Sequence, residues 1–243
     1  MKSKKTIPAN IDIKIGSQAL RVSMSLPDST VSLRELLPTI QQINHKIIDI
    51  AVHQSEANGK TVSCKKGCGA CCRQLVPITK TETWHIAKLV EKLPREKQKR
   101  IKQAFREARE TLQNSGLWEQ LSNTSLIKNT REIGFDYFDL DINCPFLEDN
   151  ACSIHPHRPL SCREFLATSN PVFCNTPRNM KIESIDIPVR VSNTLGRIED
   201  GEVTKPFEWI PLSLALNWAN THDEPEKQAA TQWMEKFFQA LSS

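Results

Sequence analysis

Several function classes are excluded by what this 243-residue chain lacks. Hydrophobic residues make up 39% of it, and no run approaches the ~18 consecutive apolar residues that a membrane helix requires. The opening stretch MKSKKTIPANIDIKIGSQAL begins with basic residues. Polar residues then interrupt it where a signal peptide would carry an unbroken apolar segment, so a cytoplasmic protein with no membrane partner is expected. Glycine is scarce, eight residues in all, and none falls into GxGxxG or GxxxxGKS. The loops that cradle a dinucleotide or a phosphate are therefore missing. Charge of one sign is also modest, a net +4. The basic run Lys97, Lys99, Arg100, Lys102, Arg106 and Arg109 is broken by Glu96, Glu107 and Glu110 and has no interleaved aromatics to stack on bases. We read it as a solvated helix face and expect no nucleic-acid partner. Paired CxxC knuckles, internal repeats and low-complexity tracts are absent too.

What the chain does have is cysteine. Cys64, Cys68, Cys71 and Cys72 form one group, Cys144, Cys152, Cys162 and Cys174 a second, and the 71 residues between them contain none. In a reducing compartment structural disulfides are rare, so thiols at this density point to a metal ion or cluster. Gly67 and Gly69 flank Cys68 and relax the backbone, as needed when several sulfurs must turn toward one point roughly 2.3 Å away. Alternatively, positions 64, 68, 71 and 72 would share one helix face. Adjacent Cys71 and Cys72 diverge on a regular element, which leaves open whether both serve one ion. In the second group, Cys144 and Cys152 are expected on the two arms of a hairpin turning at Asp149-Asn150 and Cys162 on a following helix near Pro156. Cys174 lies farther on, in a Pro-flanked loop. Arg73, Arg158 and Arg163 sit beside these thiols, where guanidinium charge would offset that of a tetrathiolate site, near −2. His155 and His157 could replace a sulfur but more readily cap the helix or face solvent. CxxxCxxC also coincides with the radical S-adenosylmethionine spacing, but no βα repeat accompanies it.

The pattern C-x3-C-x2-C-C followed by CPFL-x4-C-x-I-x3-RP-x2-CR-x-F resembles the YkgJ-like cysteine-cluster family of zinc- or iron-chelating domains. The resemblance spans Cys64 to Phe165. It implies zinc or iron as cofactor, with the seven cysteines it spans as candidate ligands; Cys174 beyond it is the least certain of the eight, and the radical S-adenosylmethionine spacing keeps a [4Fe-4S] cluster open. A similar cysteine cluster occurs in flagellin lysine N-methylases, which implies an enzymatic alternative in redox chemistry or protein side-chain modification. The leading reading is a metal-binding protein whose centre organises the fold or a surface for a partner protein.

Around the cysteines we expect an α+β, mainly helical chain with short β-hairpins. Residues 1–60 should hold a hairpin over 11–26 turning at Gly16 and a helix over 36–53. Residues 61–176 should form the metal-binding domain, with a helical insert over 95–122. A capping box of Thr79 with Glu82 should start a helix running to about Leu93. Residues 177–243 should supply a strand in KIESIDIPVRVSN and helices over 212–220 and 226–241.

Overall fold

The computed structural model describes residues 5–15, 18–201 and 207–242. Strands β1 (Thr6–Ile15) and β2 (Gln18–Pro27) pair antiparallel over their whole length. The expected turn at Gly16 lies outside the described residues. Alternation places Ile13, Ile15, Val22 and Leu26 on one buried face, as a period of two demands. After the two-residue strand β3 (Thr30–Val31), helix α1 (Leu33–Ala57) starts at a Ser32/Glu35 capping box and buries Leu36, Leu37, Ile40, Ile43 and Ile47 along one stripe.

Strand β4 (Pro77–Ile78) leads into α2 (Lys80–Lys92), where the Thr79 side chain accepts the Glu82 N–H and the Glu82 carboxylate accepts the Thr79 N–H, as expected. Helix α3 (Arg95–Ser115) buries Ile101, Phe105, Ala108 and Leu112, and α4 (Trp118–Ser122) follows. A further helix, α5 (Thr130–Asp139), adds to the expected set. The hairpin of β5 (Leu147–Glu148) and β6 (Ala151–Cys152) turns on Asp149 and Asn150, both left-handed with φ of 48° and 59°. Asx residues at both turn positions favour this geometry.

The helix expected near Pro156 is displaced. A 3-10 turn covers His155–His157, and α6 (Leu160–Glu164) starts only after Pro159. Proline forces the residue before it out of helical space, and Arg158 is accordingly extended, with ψ of 146°. The strand expected in KIESIDIPVRVSN does not form. Among the described residues this segment makes one isolated bridge, Ser184 with Ala167, and from Val191 the chain becomes helix α7 (Val191–Asp200). Ile185 and Ile187 are buried, so the alternation is real. It reflects packing beneath a chain that pairs only briefly with residues 166–168, through Ile185 N–H to the Leu166 carbonyl at 2.9 Å and Thr168 N–H to the Glu183 carbonyl at 2.8 Å.

Strand β7 (Ile210–Pro211) pairs with β4, α8 (Ala215–Ala219) follows a 3-10 turn, and β8 (Gln228–Ala229) pairs with β3 before α9 (Ala230–Leu241). The two C-terminal helices therefore begin later than the expected 212 and 226. The architecture is α+β and mainly helical, 52% helix. One core joins the hairpin, α1, α7 and α9. Two more lie under α2 and α3, with Phe146 in one and Tyr137 in the other. The cysteine segments cross between them.

Candidate metal centre

Residues 61–76 contain no helix, so the loop arrangement of the first cysteine group is the one adopted. Its turns close through Cys68 N–H to the Lys65 carbonyl at 3.0 Å and Cys72 N–H to the Gly69 carbonyl at 2.9 Å. Two glycines make this course possible. Gly67 has φ of 90°, where a side chain is disfavoured. Gly69 lies flush on the β5–β6 turn, and a Cβ there would fall 2.8 Å from both the Asn150 carbonyl carbon and Leu147 Cδ1. The same contact docks the two cysteine groups, and the Cys144 N–H donates to the Cys72 carbonyl at 2.7 Å. At the loop entrance Cys64 Sγ accepts the Ala167 N–H at 3.2 Å.

Seven of the eight cysteines line one cavity of about 690 Å3. They come from four places: the 64–72 loop, the turn three residues ahead of β5, strand β6 and helix α6. Cys174 is the exception. It is buried outside the lining, and its carbonyl accepts Gln74 Nε2 at 3.4 Å. All eight cysteines are free thiols. Among the described residues no three His, Cys, Asp or Glu side chains are gathered closely enough to hold an ion, so the sulfurs surround the cavity without meeting at its centre.

The thiols are not equivalent. The Cys72 thiol donates to the Cys71 sulfur, and this bond holds Cys71 down to about 7 while pushing Cys72 up. Burial raises Cys144 to about 12, Cys174 to about 11 and Cys162 well above its ordinary value. Charge on one thiol also opposes charge on its neighbours, with Cys71 acting on Cys64, Cys144, Cys152, Cys162 and Cys174. A thiolate is the metal-binding form. The cluster therefore carries one thiol ready to ionise among several whose ionisation needs a cation beside them.

The three flanking arginines separate in space. Arg158 lines the cavity, lowers Cys64, Cys71 and Cys152 through its charge, and keeps its buried Nε without a hydrogen-bond partner. Arg163 points elsewhere, with Nε donating to the Arg158 carbonyl at 2.9 Å and Nη2 to the Pro156 carbonyl at 2.6 Å. Arg73 is half exposed and pairs with Asp141 at 3.3 Å and Asn143 at 3.0 Å. His155 lines the cavity, whereas His157 packs against His85 with ring centroids 6.0 Å apart.

Two separated cysteine groups folded onto one cavity agree with the comparison to known families. The model of the CxxCxxCC family, described as "Putative zinc- or iron-chelating domain", matches residues 63–185, just over half the chain. The chain belongs to the CxxCxxCC family. No curated protein and no solved structure matches it. The matched segment holds all eight cysteines and ends five residues before Arg190, so part of the cavity wall lies beyond it.

The lining also contains residues that no motif points to. Glu164 ends α6, one turn from Pro159, and its carboxylate accepts Ser192 N–H at 3.0 Å and Ser192 Oγ–H at 2.6 Å. Burial raises it to about 7. Arg190, Phe207 and Trp209, beyond the matched segment, also line the cavity. Local sequence does not mark them. Only the unusual order Cys-Arg-Glu after Cys162 could have drawn attention to Glu164.

Proposed function

We propose that this chain is a cytoplasmic metal-binding protein in which Cys64, Cys68, Cys71, Cys72, Cys144, Cys152 and Cys162 supply the ligands for zinc or iron, with Cys174 in reserve. The carrying observation is that seven thiols from four segments line one cavity together with Arg158, whose buried Nε is unpartnered. The donor set fits a soft or borderline cation: thiolates favour zinc and iron–sulfur centres over magnesium or calcium. Because the sulfurs ring the cavity, uptake requires them to turn inward, and the metal then supplies the charge that Cys144 and Cys162 need in order to ionise. Arg158 would offset the remaining negative charge. Seven sulfurs exceed one closed tetrahedral site, so two ions or a [4Fe-4S] cluster with spare thiols accounts for the number. We take residues 61–176 as the metal-binding domain. The flanking segments share the core that holds Leu160 and Leu166, and so support it or present a surface to a partner protein.

Cys68→Ser and Cys152→Ser test this reading, since metal-binding energy is folding energy in such domains. Both variants should hold less metal by mass spectrometry and melt at lower temperature than the parent. Full metal content with unchanged melting in both would overturn the proposal.

A second reading is favoured by the cavity's size. About 690 Å3 leaves room beyond a closed ion site, as an iron-dependent or iron–sulfur enzyme acting in redox chemistry or side-chain modification, such as lysine methylation, would need. Iron with acid-labile sulfide and a broad visible charge-transfer band would favour it over a colourless zinc protein.

A further inference from the structure

Metal ligation leaves much of the cavity unexplained. Its volume falls in the range that encloses an organic molecule, and the rest of its lining is built from other chemistry. Phe207 and Trp209 supply aromatic surface, with Leu75 and Leu212 adding aliphatic surface beside them. The Phe207 ring lies directly on α7 at Gly196, where a Cβ would meet its Cε2 at 2.7 Å. This wall is therefore packed in place.

Charge in the cavity is one-sided. Four cations line it, Lys65, Lys66, Arg158 and Arg190, against one carboxyl, Glu164. Both Glu164 oxygens are already engaged by Ser192. Arg158 faces the sulfurs and acts on Cys64, Cys71 and Cys152, and the two lysines flank the mouth beside Cys64 and Cys68. Arg190 is different. It caps α7 through its backbone, its charge acts on Glu164, and its guanidinium has no hydrogen-bond or ion-pair partner among the described residues. Arg190 is exposed at the rim of the cavity, and because the neighbouring Glu164 carboxyl is taken up by Ser192, its guanidinium can offer its fork to a carboxylate or similar oxyanion.

We propose that the half of the cavity bounded by Arg190, Phe207 and Trp209 binds a small organic anion, its apolar body against the two rings and its carboxylate on Arg190. This deepens the metal-centre reading by naming a ligand class for the same cavity, and it stands on lining residues other than the sulfurs.

The test is calorimetric titration of the full chain, as purified, with 1-naphthoate and with 1-naphthalenemethanol, which has a similar apolar body and no charge. Metal content is measured on the same samples. Naphthoate should bind saturably and at least about tenfold more tightly than the alcohol. Arg190→Gln should abolish that preference and leave binding of the alcohol unchanged, whereas Phe207→Ala should weaken both probes alike. No saturable naphthoate binding to folded parent protein, equal affinity for the two probes, or a preference that survives Arg190→Gln would each overturn the inference. Arg190-dependent binding by a chain without metal would keep this inference and remove the metal reading. Metal-loaded chain with no binding would do the reverse.

Discussion

Gly69→Ala is the substitution that best probes how the two cysteine groups are held together. The added methyl would sit 2.8 Å from the Asn150 carbonyl carbon and from Leu147 Cδ1. Carbon contacts settle at about 3.5–4.0 Å, so the loop and the β5–β6 turn must separate by more than half an ångström. Neither side yields easily. The turn rests on two left-handed residues, Asp149 and Asn150, and the loop is tied beyond Gly69 by the Cys144 N–H to the Cys72 carbonyl. Overpacking of this kind costs about 1–3 kcal/mol, which for a chain of this size lowers the melting temperature by about 3–10 °C. Gly67→Ala is the internal control: nothing lies within 4 Å of a Cβ there, so the cost is confined to the left-handed backbone, about 1 kcal/mol. The assay is a thermal melt paired with release of bound metal to a chelator. Gly69→Ala should lose more on both measures, because separating the walls also separates Cys68 and Cys71 from Cys144 and Cys152. Equal melting and equal release for the two variants would refute the claim that this contact joins the halves of the centre.

Two further outcomes follow from the same geometry. Arg158→Gln should speed metal loss to a chelator, because its charge lowers Cys64, Cys71 and Cys152, whereas Arg73→Gln, paired with Asp141 and Asn143 away from the cavity, should leave the release curve unchanged. Stability should also depend on Glu199, whose carboxylate accepts the Lys80 and Thr81 N–H groups at 2.8 and 3.0 Å and so caps α2. Burial raises Glu199 from 4.5 to about 7. An acid with a raised folded-state pKa contributes stability that is full below pH 4.5 and is lost as pH rises through about 7. The shift would be worth about 3 kcal/mol for a dry carboxyl, and partial exposure of Glu199 brings this nearer 1–2 kcal/mol. Denaturant melts from pH 4.5 to 8 should therefore fall less steeply for Glu199→Gln than for the parent.

Long periodic elements are legible in the sequence. The stripe from Leu37 to Ile50 marks α1, and the Thr79/Glu82 box marks the first turn of α2. Strands β3, β4, β7 and β8 are not legible, because two residues have no period and their partners lie more than 130 positions away. Helix α5 buries only Ile133 and Tyr137 around Gly134, too little to form a stripe, and α7 has Gly196 at its centre. In KIESIDIPVRVSN the alternation of Ile185 with Ile187 suggests a strand, but alternation reports which side packs and says nothing of a neighbour to pair with. The cysteines are visible as residues, as is the Asp149-Asn150 turn that brings two of them together. The rest of the cavity lining is not, since Arg190, Phe207 and Trp209 reach the same cavity only through the docking of α7 and the segment leading into β7.

Whether these thiols hold metal is tested most directly by elemental analysis with a visible absorption spectrum, on untagged protein purified without oxygen. At least one zinc or iron per chain is expected, with fewer than eight thiols open to a thiol reagent until a chelator or denaturant is added. A folded, metal-free chain that neither zinc nor iron stabilises would contradict the metal-centre reading.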